Sequence, residues 1–175
     1  MLSKAPGVVV DQVLLPQLAM RAKADVFFSP YYKIPFAGNF RRIITVHDIM
    51  FLKLPEIPAW RRVAASCQLR MAASRADIVF VDSNFTREEL CQFMPGLEQK
   101  TKTLYPNLEP SWADPVDEEI IRKTRLKFAG SRPFFLYVGN FKPHKNVDLL
   151  VDAFLNLAAR DETHGRLLIL AGGDP

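Results

Sequence analysis

Apolar residues in this chain come in short continuous runs separated by longer amphipathic stretches, and that alternation sets the expected architecture. Residues 25–29 (Asp-Val-Phe-Phe-Ser), 42–46 (Arg-Ile-Ile-Thr-Val), 77–81 (Asp-Ile-Val-Phe-Val), 102–105, 134–138 (Phe-Phe-Leu-Tyr-Val) and 166–171 read as strands. After Asp77 this third run is apolar throughout, residues 78–81, rather than alternating, as in a parallel sheet covered on both faces. Helices are expected over 11–24, where Pro16 limits the start, and over 60–76, 117–128 and onward from Asn146. Another should open at the capping-box spacing Thr86-Arg-Glu-Glu89 and stop at Pro95-Gly96. Strands alternating with helices predict an α/β fold of parallel sheets with flanking helices.

The helical spacing also predicts which faces are buried. Over 60–76 the stripe is Trp60, Val63, Ala64, Cys67 and Met71, on a helix that also carries Arg61, Arg62, Arg70 and Arg75. Over 117–128 it is Ile120, Ile121 and Thr124, and after Asn146 it is Val147, Leu150, Val151, Phe154 and Leu157. Residues 107–116 break the pattern, being Pro-rich and aperiodic, and read as a linker. The expected organisation is therefore a domain over 1–106, a linker over 107–116 and a second domain over 117–175. About four strands precede the linker and about two follow it. The first strands of a doubly wound sheet are central, so both halves would bare an apolar sheet edge. The expectation is a pair of incomplete, tandem Rossmann-like domains cut from the middle of a larger protein.

Residues 133–146, Pro-Phe-Phe-Leu-Tyr-Val-Gly-Asn-Phe-Lys-Pro-His-Lys-Asn, are the clearest chemical signal. A strand that ends at Gly139, a loop with Lys142, His144 and Lys145, and a helix start form a layout that holds an anion on helix N-terminal amides. An ordinary strand-to-helix connection reads the same way from the residues alone. The chain has 175 residues, is 49% hydrophobic and 24% charged, and carries a net charge of +4. That balance favours anionic partners without choosing among them. Cys67 and Cys91 lack a C-x-x-C spacing, and His47, His144 and His164 form no H-E-x-x-H pattern, so no metal ligation and reduced thiols are expected. No apolar run approaches the length of a membrane span, and a cytoplasmic location is expected. Lys and Arg are spread over all segments with no basic stripe interleaved with aromatics, which argues against nucleic acid as a partner. Gly-Asn-Phe-Lys-Pro-His is not G-x-G-x-x-G, which argues against a dinucleotide-dependent oxidoreductase.

Taken in order, these motifs resemble retaining, metal-independent glycosyltransferases of the two-domain type-B fold, of the family-4, mannosyltransferase-like kind. The resemblance rests on Thr45-Val-His-Asp48 with the Leu-Pro-Glu turn after it, and on Ala76-Asp-Ile-Val-Phe-Val-Asp-Ser83 with Phe85, Thr86 and Glu89-Leu90. It continues through Tyr137-Val-Gly-Asn-Phe-Lys-Pro-His-Lys-Asn146, Leu149-Leu-Val-Asp-Ala-Phe154 and Leu168-Ile-Leu-Ala-Gly-Gly173. Such enzymes transfer mannose, glucose or related hexoses from GDP- or UDP-linked donors during polysaccharide biosynthesis. The resemblance implies that the partners are a nucleotide sugar and a glycan or lipid-linked acceptor, and that no cofactor is needed. It implies His47 as the catalytic-cleft histidine that contacts the transferred sugar, facing a donor-diphosphate loop of Gly139, Asn140 and Lys145. Lys142 and His144 would add positive potential there. Asp48 is expected to orient His47 or the following turn, and Ser83 to cap a helix.

The departures from the family's pattern also carry expectations. The family commonly has Arg where this chain has Asn140, which removes a charge from the diphosphate loop. Its N-terminal glycine loop and its E-x7-E motif have no match within these residues. The 175 residues alone are therefore expected to lack transferase activity, and a truncated, inactive relative with a binding role is the competing reading. The basic helix over 60–76, with Trp60, Arg61 and Arg62, is a candidate for peripheral contact with the inner face of a membrane, but its arginines are distributed around the helix, which favours an ordinary solvated face.

Overall fold

A computed structural model describes residues 7–173. The chain divides into two compact units, Met1–Asn107 and Leu108–Pro175.

The first unit is built on four parallel strands, β1 (Val26–Ser29), β2 (Arg41–Val46), β3 (Ile78–Val81) and β4 (Thr101–Thr103), in the spatial order β1-β2-β3-β4. Its helices are α1 (Gly7–Val9), a π-helical stretch over Val10–Leu14, α2 (Leu15–Arg21), α3 (Ala59–Arg75) and α4 (Asn84–Phe93). Parallel neighbours need a long crossover, usually a helix. The segments holding α3 and α4 make the crossovers from β2 to β3 and from β3 to β4.

Residues 30–40 join β1 to parallel β2 with no helix at all, and side chains supply what a helix would have supplied internally. The Arg42 guanidinium donates to the carbonyls of Pro35 (2.9 Å), Phe36 (3.0 Å), Gly38 (2.9 Å) and Phe40 (3.2 Å). From the other direction Gln12 donates to the Ile34 carbonyl (2.9 Å) and accepts from the Phe36 amide (3.1 Å). Ile34 and Phe40 are buried as a result.

The core gathers Ile44 and Val46 of β2, Val79 and Val81 of β3, Leu69, Ala72 and Ala73 of α3, and Leu90 of α4. Fully burying each of the larger side chains is worth roughly 1.5–3 kcal/mol. The buried stripe of α3 is not the predicted one. Trp60 is 68% and Val63 63% exposed, and Cys67 and Met71 are exposed too. Two apolar stripes share this helix, and the one with alanines at 72 and 73 lies against the sheet because small residues let the helix approach closely. The Lys100 ammonium donates to the Ser74 and Ala76 carbonyls and closes the helix end. α4 begins ahead of the expected capping box: Ser83 is its cap, accepting from the Thr86 amide at 3.1 Å.

The second unit contains α5 (Glu118–Ala129), β5 (Phe134–Val138), α6 (Val147–Ala159) and β6 (Leu167–Ala171), with a 3-10 turn over Pro110–Ala113. β5 and β6 pair in parallel, Phe134 opposite Leu167 through Val138 opposite Ala171. Asp117 caps α5 by accepting from the Glu119 amide (2.7 Å), and Gly130 ends it in the left-handed conformation. Ile120 and Ile121, expected to be buried, are exposed. The α6 stripe is covered only in part: Val147 is buried and Phe154 meets Phe135 edge to face at 6.4 Å, whereas Leu150 and Leu157, also expected to be buried, are exposed. Among the described residues no helix is long and apolar enough to cross a membrane.

Candidate functional site

His47 is the first residue past β2, at the carboxyl end of the first unit's sheet, where α/β sheets receive ligands. Both ring nitrogens are engaged. Nδ1 lies 2.7 Å from an Asp82 carboxylate oxygen and Nε2 lies 2.9 Å from the Pro30 carbonyl. Tyr31 approaches the ring edge-on at 5.5 Å, and the Thr86 hydroxyl donates to the His47 carbonyl at 3.3 Å. A neutral imidazole has one N–H and serves one acceptor, whereas the imidazolium serves both. The Asp82 hydrogen bond accordingly raises the His47 pKa above the ordinary histidine value. Partial burial opposes it, and the Asp82 charge, the Pro30 carbonyl and the Asp48 charge add to it.

Asp82 was missed by sequence reasoning, although a signal for it existed. Val46 pairs with Val81 across β2 and β3, so the residues that follow each, His47 and Asp82, leave adjacent parallel strands side by side. Asp48 takes the other of its two expected roles: its carboxylate accepts from the Met50 amide (3.0 Å) and shapes the turn after β2. Burial, followed by the charge of Asp48, raises the pKa of nearby Tyr32.

The loop after β5 belongs to the second unit. Gly139 ends the strand by donating to the Ala171 carbonyl (3.0 Å). Gly172, at φ 145°, passes so close that a Cβ there would strike the Gly139 carbonyl oxygen. The Tyr137 hydroxyl donates to the Asn140 carbonyl at 2.7 Å, and the Asn140 side chain accepts from the Lys142 amide at 3.4 Å. Asn140 therefore shapes the loop from within. Pro143–Lys145 forms a single 3-10 turn, and Asn146, left-handed at φ 51°, opens α6. Lys142 and Lys145 are exposed, His144 half-buried. Among the described residues neither lysine has a carboxylate partner. The loop thus brings Gly139, Asn140, Lys142, His144 and Lys145 together beside a helix N-terminus, with its two ammonium groups unneutralised. A cleft of about 450 Å³ on the same unit, lined by Glu118, Ile121, Arg122, Arg125 and Ser131, includes none of them.

The parallel sheets with flanking helices have the fold of part of a type-B glycosyltransferase, as the likeness to a solved structure shows. HepE of Anabaena, whose crystal structure was determined in complex with UDP and glucose, superposes with a TM-score of 0.69 at 19% identity, over 97% of this chain and 45% of HepE. In sequence the chain is similar to the alpha-1,3/1,6-mannosyltransferase ALG2 of Kluyveromyces lactis, 29% identical over 101 residues, which is 57% of this chain and 19% of that protein. No family model matches. The chain spans less than half the length of either relative.

Proposed function

We propose that this chain is part of a glycosyltransferase that moves a hexose of the mannose or glucose type from a GDP- or UDP-linked donor to a glycan or lipid-linked acceptor. In this reading the reaction proceeds with retention and without a metal ion. The loop Gly139–Asn140 with Lys142, His144 and Lys145 receives the donor diphosphate: Lys145 and Lys142 meet its charge, and the N-terminus of α6 offers amide donors. His47 contacts the transferred sugar. Oxyanion-type stabilisation of the departing diphosphate would come from such preorganised donors.

The observation that carries the reading is the loop itself, with two ammonium groups that have no carboxylate partner among the described residues, at the start of a helix. Likeness to a mannosyltransferase in sequence, and to a protein solved with UDP and glucose in fold, supports it. Isothermal titration of the 175-residue chain with UDP, GDP and NAD tests it. A nucleoside diphosphate is expected to bind more tightly than NAD, and Lys145→Ala to weaken that binding by about tenfold, the scale of one charge-assisted contact. Unchanged affinity in Lys145→Ala would remove the loop from the site.

A further inference from the structure

The clasp around His47 offers more than a histidine at a strand end. A ring with a carboxylate on Nδ1 and a carbonyl on Nε2 is held at two points from two different segments, the end of β3 and the turn after β1. The Tyr31 ring edge restricts it further. The Pro30 carbonyl is an acceptor, so Nε2 faces it as a donor, and the same proton inventory obliges Nδ1 to donate to Asp82. We propose that Asp82 is a positioning residue that keeps His47 doubly protonated, so that Nε2–H is presented as a donor to an oxygen of the sugar bound at the carboxyl edge of the first unit's sheet. The proposal rests on the glycosyltransferase reading and sharpens it, because it fixes which way the hydrogen bond runs.

The chemistry follows from the inventory of donors. In the bound state a sugar oxygen takes the place of the Pro30 carbonyl, and Nε2–H changes acceptor without any change in protonation. A ring that acted instead as a base would need a free Nε2 lone pair, and this geometry points that lone pair at a carbonyl oxygen, where it is repelled. The groups that face His47 agree with the donor role. Asp82 lies at the end of β3 and Asp48 on its own segment, both carboxylates; Tyr31 lies beside it, and the Thr86 hydroxyl of α4 and the Pro30 carbonyl are neutral. Among these described neighbours, no cation stands against the imidazolium.

Nitrogen-15 NMR on the 175-residue chain tests this, with the His47 ring nitrogens read across a pH series, alone and with UDP-glucose. The free protein should show both nitrogens protonated up to a titration midpoint above that of an ordinary histidine, and that midpoint should drop in Asp82→Asn. UDP-glucose should shift the Nε2 signal below that midpoint and lose the effect above it. A response that grows as the ring deprotonates would mean that Nε2 accepts, and would overturn the proposal, as would an unaltered midpoint in Asp82→Asn. The pH series of the unmodified chain decides the matter even if that variant does not fold. Loop signals from Lys145 separate the two readings. If they respond while His47 is silent, the donor role of His47 fails and the transferase reading stands; if neither responds, both fail.

Discussion

The strands β3 and β5 read alike as sequence, Ile-Val-Phe-Val against Phe-Phe-Leu-Tyr-Val, and fold into opposite environments. Val79 and Val81 of β3 are 0% exposed, whereas Leu136 and Val138 of β5 are 56% and 73% exposed. β3 has a strand on each side, and α4 packs against it. Among the described residues β5 has one strand beside it. An apolar run therefore specifies a strand, but its neighbours determine how much of it leaves water. The same holds for function: His47 follows β2, a strand paired on both sides, and is gripped from two segments, while the lysines of the 142–145 loop project from the more sparsely covered sheet.

The largest effects expected are those that set buried against bare. Ile44→Ala in the first unit removes a side chain with no exposure and leaves a cavity in the Val46, Leu69 and Val79 core, for a loss of about 2–5 kcal/mol. Leu136→Ala, at a site more than half exposed, should cost under about 1 kcal/mol. Amide hydrogen exchange at Val79 and at Ile169 reads the two units separately. Equal losses at the two sites would break the comparison.

A smaller contrast concerns glycines. Gly172→Ala forces a Cβ into the Gly139 carbonyl at the shared end of β5 and β6, where φ is also positive, and should destabilise the second unit by about 1–3 kcal/mol. Gly96→Ala, at φ 94° in the first unit with nothing within 4 Å of the new carbon, carries the backbone term alone, about 1 kcal/mol. Protection measured across β6 and across α4 distinguishes them, and a Gly96 loss as large as that at Gly172 would mean that close approach is not the reason for Gly172.

The strands and helices were legible because period and punctuation act locally: each apolar run became a strand, and Ser83 became a cap. The buried face of α3 was not, because Trp60, Val63, Cys67 and Met71 match helical spacing as well as Leu69, Ala72 and Ala73 do. Only the sheet surface chooses between them, and it favours the smaller side chains. Asp82 escaped for a related reason, since its partnership with His47 exists only once β2 and β3 are set in register. Arg42 reads as one more positive charge in a basic chain, and its four carbonyl partners depend on the path of residues 30–40. Local pattern yields elements. Which side chains meet is decided by register and covering.

The subtlest expected difference between the units is one of pH. The folded first unit binds the His47 proton more tightly than the unfolded chain does, chiefly through Asp82. The increment of stability is thus fully present below the unfolded histidine value, near about 6.5, and is lost as pH rises through the higher folded value. The His47 side chain is 46% exposed, so solvent screens the pair and the increment is small beside the core substitutions. Exchange protection of the Val46 and Val79 amides should therefore fall slightly as pH rises through that window, after correction for the intrinsic exchange rate. In Asp82→Asn the step should shrink and move to lower pH. A step of the same size in the β5 and β6 amides would detach it from His47, whereas its confinement to β2 and β3 would tie proton binding to the clasp that joins β2, β3 and the turn after β1.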